Sequence, residues 1–236
     1  MAGAIQTFPG VSVDRKAHTV YVDGRVIASP DMEWIELLAC TTGTREHEAL
    51  IATDAQPSQI HAALLTLGLV PGSPRRIEKL VEKIEPDAPG ITHDDTSDNH
   101  TKPRYVVHPA RGPELSLFFQ YLDAATGQMT QTPAHQWLLD QTTGDPIPPL
   151  TYLFAGSYLY THEGQTFFAA DTGGTVASLV QFGDDLLATQ TDRTSRDGDN
   201  AYRTNTAPGR LPAVGTPVRL VIVATPKAGP VAKEPE

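Results

Sequence analysis

The sequence predicts an α+β domain: a mostly antiparallel sheet with one or two short helices packed on it. Three observations lead there. Short apolar runs bounded by Gly, Pro, Asn and Asp recur along the second half of the chain, as strands do. One segment, Pro57 to Leu67, carries apolar residues at helical spacing. The length of 236 residues, with Gly 19 and Pro 20 but only 19% charged residues, describes an ordered, turn-rich chain large enough to bury a core without cross-links.

Val11 to Val13 and His18 to Val22 read as two strands around an Asp14-Arg15-Lys16 turn, and Asp23-Gly24 as a second tight turn that Arg25-Val-Ile27 leaves. Glu33 to Ala39 reads as a strand covered on both faces. It runs into the loop from Cys40 to Thr44, and Glu46 to Ala52 follows as a further strand. Pro57 suits a first helical turn, Ile60, Leu64 and Leu67 form one stripe, and Gly68 ends the helix. Ile77, Leu80, Val81 and Ile84 predict a second helix over 76–84. Glu85 to Thr101, with five acidic residues and no Lys or Arg, reads as an exposed insert. Beyond it, Glu114 to Leu122 is a strand ending in a turn at Asp123–Gly127. Pro133 to Leu139 is a short helix. Thr151–Phe154, Ser157–Tyr160 and Thr166–Ala170 form a hairpin series around His162-Glu163-Gly164. Val176 to Phe182 is buried and of ambiguous type. Val218 to Val223, rich in β-branched residues, is a central strand. The expected organisation is a single α+β domain. Residues 1–84 form its first part, 85–103 an acidic linker or insert, 104–225 its strand-rich remainder, and 226–236 a disordered tail.

Composition excludes several classes. A single cysteine, Cys40, rules out an internal disulfide, a Cys₄ zinc site and a cluster held by four cysteines, so no iron–sulfur cluster is expected. A net charge of −10 opposes a nucleic-acid grip. No run is long enough for a membrane span. Phosphate-cradling glycine loops, His-Glu-x-x-His and the nucleophile elbow do not occur, so no nucleotide is expected.

The densest group of chemistry-bearing residues is Cys40, Glu46, His47, Glu48 and His61. Thiolate, imidazole and carboxylate are the ligands that zinc or copper prefers, so Cys40, His47, Glu48 and His61 form the candidate metal set. The same residues offer a thiol enzyme, with Cys40 as nucleophile and His47 or His61 as base. Against both stands a structural reading: a buried Cys40, Glu46 and Glu48 paired with cations or with backbone N–H groups of the Thr42-Gly43-Thr44 loop, and a half-buried His61. Convergence of at least three of these side chains on one point separates the readings. Asp171-Thr-Gly-Gly174 lacks the residue that an aspartic protease needs after its glycine, and reads as a turn. Asp192, Asp197, Asp199 and Asn200 form an oxygen-rich loop that suits calcium or a structural pin. His93 to His100 reads as a solvated acidic loop.

Glu36-Leu-Leu-Ala-Cys40 through Thr44-Arg-Glu-His-Glu48 resembles the YdjY-type domain family. The resemblance continues through Ile60–Leu65, Gly72-Ser-Pro74, Phe154-Ala-Gly-Ser157, Ala170-Asp171, Asp199-Asn200, Asn205-Thr206 and Gly215–Leu220. It covers roughly 11–80 and 113–224, and its most specific stretch is Cys-x-x-Gly-Thr-x-Glu-His-Glu. It implies a protein without a settled biochemical role. It also places Gly43, Thr44, Glu46, Asp171, Asp199 and Asn200 in binding or structural loops. Family members are often exported, which suggests a periplasmic or exported protein where a leader has been removed. The start of this sequence has no such leader and reads as cytoplasmic. The function expected is a non-catalytic accessory module that binds another protein or a small ligand, with Tyr158, Tyr160 and Tyr202 as interface residues if exposed. The alternative is the metal or thiol enzyme.

Overall fold

The computed structural model describes residues 3–30, 32, 34–83, 101–191, 193–195, 202–207 and 209–225. Its strands, in chain order, are β1 (Ile5–Phe8), β2 (Val11–Asp14), β3 (Thr19–Val26), β4 (Leu37–Thr41), β5 (Ala49–Thr53), β6 (Arg76–Lys83), β7 (Thr101–His108), β8 (Glu114–Leu122), β9 (Met129–Pro133), β10 (Leu138–Asp140), β11 (Tyr152–Phe154), β12 (Leu159–His162), β13 (Gln165–Phe168), β14 (Thr175–Ser178), β15 (Leu187–Thr189), β16 (Tyr202–Thr204) and β17 (Pro217–Ala224). Two helices, α1 (Pro57–Thr66) and α2 (Ala169–Gly173), complete the fold with 3₁₀ turns at Glu46–Glu48 and Ala134–Trp137.

These strands correct the expected fold class. Strand makes up 46% of the described residues and helix 12%, and eight strands close into a β-barrel in place of an α+β sheet with helices packed on it. The ring runs β3-β17-β8-β11-β15-β14-β4-β5 and returns to β3. The β14–β15 and β4–β5 pairs are parallel and the other pairs around the ring are antiparallel. Closure depends on β3. Its Thr19–Val22 half pairs with β2, and Arg25 and Val26 pair with Ala52 and Ile51 of β5. At the junction, a Cβ on Gly24 would lie 2.6 Å from the Ala52 carbonyl oxygen, so only glycine lets the seam close. The expected turn at Asp23-Gly24 is therefore the middle of a strand.

The core fills the barrel. On β8, Leu115, Leu117, Phe119 and Tyr121 alternate inward with more exposed neighbours. Phe119 stacks on Trp137 with ring centroids 4.1 Å apart, and Tyr121 meets the same indole edge-on. Helix α1 lies against the barrel through Ile60, Ala63 and Leu64. A reciprocal Gln56–Gln59 capping box starts it.

Among the described residues three two-stranded ribbons stand apart from the barrel sheet: β6–β7, β10–β16 and β12–β13. The first replaces the helix expected over 76–84. Ile77 and Leu80 are exposed there, so their spacing reflects no buried face. The expected helix at Pro133–Leu139 is a 3₁₀ turn followed by β10. The insert over 85–100, the Asp192, Asp197, Asp199 and Asn200 loop and the 226–236 tail lie outside the described residues. Barrel strands come from both sides of that insert. No helix among the described residues is long and apolar enough to cross a membrane.

Candidate functional site

Strands β4 and β5 are parallel neighbours, with Leu37 opposite Ala49 and Thr41 opposite Thr53. Parallel strands ordinarily need a crossover of about a dozen residues or more. Here the short segment between Thr41 and Ala49 runs back from the end of β4 to the start of β5. Gly43 opens this return in the left-handed region at φ +79°, and its N–H donates to Glu46 Oε1 at 2.8 Å. Arg25 Nη2 donates to the same oxygen at 3.3 Å. The Thr44 hydroxyl donates to the Thr41 carbonyl and also hydrogen-bonds Cys40.

This segment and its surroundings decide the fate of Cys40. The thiol is fully buried in a small cluster with Leu37, Ala49 and Ala52, beside Ile27 and Phe182. Burial pushes its pKa up to about 11, with the Glu46 and Glu48 charges adding to the rise and the Thr44 hydrogen bond opposing it. A thiol so covered and so weakly acidic is no nucleophile near neutral pH. His47 is 71% exposed, with Nε2 3.9 Å from Glu48 Oε2. His61 lies against the rings of Phe154 and Phe168, at 5.1 and 5.5 Å, and burial lowers its pKa. Among the described residues no three His, Cys, Asp or Glu side chains form a group able to hold a metal ion. The expected convergence of Cys40, His47, Glu48 and His61 on one point is not what the described residues show: the thiol is buried, His47 faces solvent and His61 on α1 lies against aromatic rings.

The residues that do converge are Glu36, Glu48, Arg45 and Asp184. Glu36 and Glu48 are 8% and 6% exposed; the Glu36 N–H donates to the Glu48 carbonyl at 2.9 Å, and their carboxyls lie close enough to share a hydrogen bond when one is protonated. Two carboxyls in such contact need a shared proton. Burial, followed by the Glu48 hydrogen bond and charge, pushes the Glu36 pKa up to about 7, while Arg45 opposes the rise. Arg45 reaches three ways. Nη1 donates to Glu48 Oε1 at 3.2 Å, Nε donates to the Gly173 carbonyl at 3.2 Å, and the guanidinium lies 4.2 Å from the centre of the Phe182 ring.

Beyond Phe182 a cleft of about 570 Å³ opens between Ser73–Arg76, Ser157–Tyr158 and Phe182–Asp184. Arg75 lines one side and Asp184 another. Arg75 Nε and Asp184 Oδ1 are buried, and neither has a hydrogen-bond partner among the described residues. Burial raises the Asp184 pKa, against the Thr175 hydroxyl and the Arg45 charge. Ser157 holds φ +55°, a costly conformation for serine. Two contacts fix it: its N–H donates to the Asp185 carbonyl at 3.0 Å, and its Oγ accepts the Ala170 N–H at 3.0 Å. Tyr158 is half exposed at the rim. A larger cleft of about 690 Å³, lined by His18, Leu67–Val70, Gly112–Pro113 and Ala224–Thr225, holds no pair of opposite charges.

Asp171 accepts the Ser58 N–H at 2.7 Å and so caps α1 from a distant part of the chain. The turn expected at Asp171–Gly174 is the end of α2: Asp171 to Gly173 are helical and Gly174 caps the helix at φ +70°, where a Cβ would collide with Thr44. Tyr160 stacks on Phe167 with centroids 5.5 Å apart. Tyr202 is half buried, packed against the core. Nothing in the sequence marks Arg45, Arg75, Ser157 or Asp184 as chemical groups, and Glu36 stands there only as part of a motif. A carboxylate inside Ile35-Glu36-Leu37-Leu38 was the one available signal, because a charge flanked by core residues must find a partner.

The fold and site define a closed β-barrel domain with a buried acid pair behind a charged cleft. A family model for the YdjY domain matches residues 11–223, and the chain belongs to that family. No curated protein and no solved structure matches it.

Proposed function

We propose that the chain is a non-catalytic accessory module that binds a small ligand in the Arg75–Asp184 cleft. The observation that carries this reading is the pair of opposite charges, Arg75 and Asp184, lining one cleft. A ligand that offers an acceptor toward Arg75 and a donor toward Asp184 pairs with both, with Tyr158 as an apolar platform. Amino acids, hydroxy acids and saccharides have this chemistry. The test is a panel of such compounds screened by saturation-transfer NMR against the full chain and against Asp184→Asn and Tyr158→Ala. The reading expects compounds carrying both groups to bind and the two variants to weaken them. It is lost if nothing in the panel binds, or if binding is indifferent to both substitutions.

A second reading, a partner protein, draws on the ribbons. Ile77, Tyr105, Val107, Tyr158, Leu159 and Phe167 are large apolar residues exposed on or beside β6–β7 and β12–β13. Free ribbon edges accept an added strand. Association that Ile77→Asp and Leu159→Asp abolish, while the small-ligand panel stays silent, would favour it.

A further inference from the structure

Three carboxyls, Glu36, Glu48 and Asp184, stand around the single guanidinium of Arg45. If all three were ionised, the cluster would hold two uncompensated charges away from water, which is expensive. The cluster therefore keeps a proton, and the contact between Glu36 and Glu48 is where it is shared. Arg45 is also what joins this pair to the cleft, through the Gly173 carbonyl and the face of Phe182. Asp184 lies against the same turn: a Cβ on Gly173 would fall on its Oδ2.

We propose that Arg45 couples the protonation of the Glu36–Glu48 pair to the wall of the Arg75–Asp184 cleft. With one proton shared, Glu48 holds one arm of the guanidinium, and the other contacts hold Gly173 and Phe182 in place. When the proton leaves, two adjacent carboxylates draw the guanidinium toward themselves. The contacts to Gly173 and Phe182 loosen, and the cleft wall changes shape. The groups facing the pair are few. Glu36 senses the charges of Glu48 and Arg45. His47 approaches Glu48 from the solvent side. Cys40 senses Glu46 and Glu48. On the cleft side, Asp184 senses Arg45, and the Asp185 carboxylate is held by the Ser178 hydroxyl and the N–H groups of Phe182 and Gly183. The change falls near neutral pH, where burial and the Glu48 contact place the Glu36 titration.

This inference rests on reading the cleft as a binding site, yet its test uses no ligand. Backbone amides of Phe182, Gly183 and Tyr158 are followed by two-dimensional NMR in the full chain, across about two pH units on either side of neutrality. Carboxyl carbons of Glu36 are followed in parallel. The expected result is one common midpoint for the cleft amides and Glu36, lost in Glu36→Gln and in Glu48→Gln. In Arg45→Lys the carboxyl still titrates while the cleft amides no longer follow. The proposal is overturned if the cleft amides stay silent in the unsubstituted chain. It is equally overturned if their transition survives both glutamine variants, or if the amides still follow Glu36 in Arg45→Lys. The ligand panel reads the cleft at fixed pH. A silent titration therefore leaves ligand binding standing, and an empty panel leaves the coupling standing.

Discussion

Replacing Glu36 by Gln should flatten a pH dependence of stability that the buried acid pair imposes. A free glutamate titrates at 4.5 and Glu36 in the fold at about 7. Between these values the folded chain holds a proton that the unfolded chain has released. The sign follows from that difference. Folding takes up a proton across the window, so stability is greatest below it, falls as pH rises through it and levels off above about pH 7. At about 1.4 kcal/mol per pH unit, the whole window is worth about 3 kcal/mol. The substituted amide keeps a donor toward Glu48 and has no proton to lose. The variant should match the unsubstituted chain near pH 5 and exceed it by about 1–3 kcal/mol near pH 8. His61 and His135, both lowered by burial, act in the opposite sense: their stabilisation grows as pH rises toward 6.5. Asp184 and Asp185, both raised by burial, act in the same sense as Glu36. The difference between the two chains cancels all four. Urea unfolding followed by tryptophan fluorescence at several pH values measures it. Equal pH slopes in the two chains would refute the shared proton.

Three further outcomes are expected. Cys40 should resist a thiol reagent in the native chain and react only as fast as the protein unfolds, because the thiol is both covered and weakly acidic; rapid stoichiometric labelling at pH 8 would contradict this. Gly24→Ala should cost about 1–3 kcal/mol or more, since the new Cβ meets the Ala52 carbonyl at the barrel seam, and a thermal midpoint equal to that of the unsubstituted chain would count against seam closure there. Asp171→Ala should remove the cap on the Ser58 N–H and cost about 1 kcal/mol, seen as faster hydrogen exchange at the start of α1 with the barrel amides unchanged.

Some of this molecule was plain in its sequence. Helix α1 announced itself through Pro57 and the Ile60–Leu64 spacing, and β17 through its β-branched run, because one packs a single stripe on the barrel and the other sits between two long partners. The barrel itself was not legible. Strands β4, β5, β11, β14 and β15 are three to five residues long and buried on both faces, so they show no alternation, and ring closure depends on pairings far apart in sequence. Ribbon β6–β7 misled for the opposite reason: with Ile77 and Val107 exposed on a two-stranded ribbon, no buried face imposed a period. The Cys40–Glu48 segment is distinctive in the sequence, but its carboxylates find cations, Glu46 pairing with Arg25 and Glu48 with Arg45. A guanidinium that bonds Glu48, Gly173 and Phe182 at once draws on residues more than a hundred positions apart, and only the fold brings them together.

The place of β17 has a consequence for how the chain is made. This strand, the last of the barrel in sequence, lies between β3 and β8 and pairs with both along most of its length. Until residues near Ala224 have left the ribosome, β3 and β8 lack their shared partner, and the apolar side chains of Val20, Val22 and Phe119 have no finished core to enter. At the usual pace of about 5–20 residues per second, that exposure lasts many seconds for each nascent chain. A chain cut short before β17 leaves β3 and β8 without their shared partner, so the ring cannot close and the apolar faces of the earlier strands stay open to solvent.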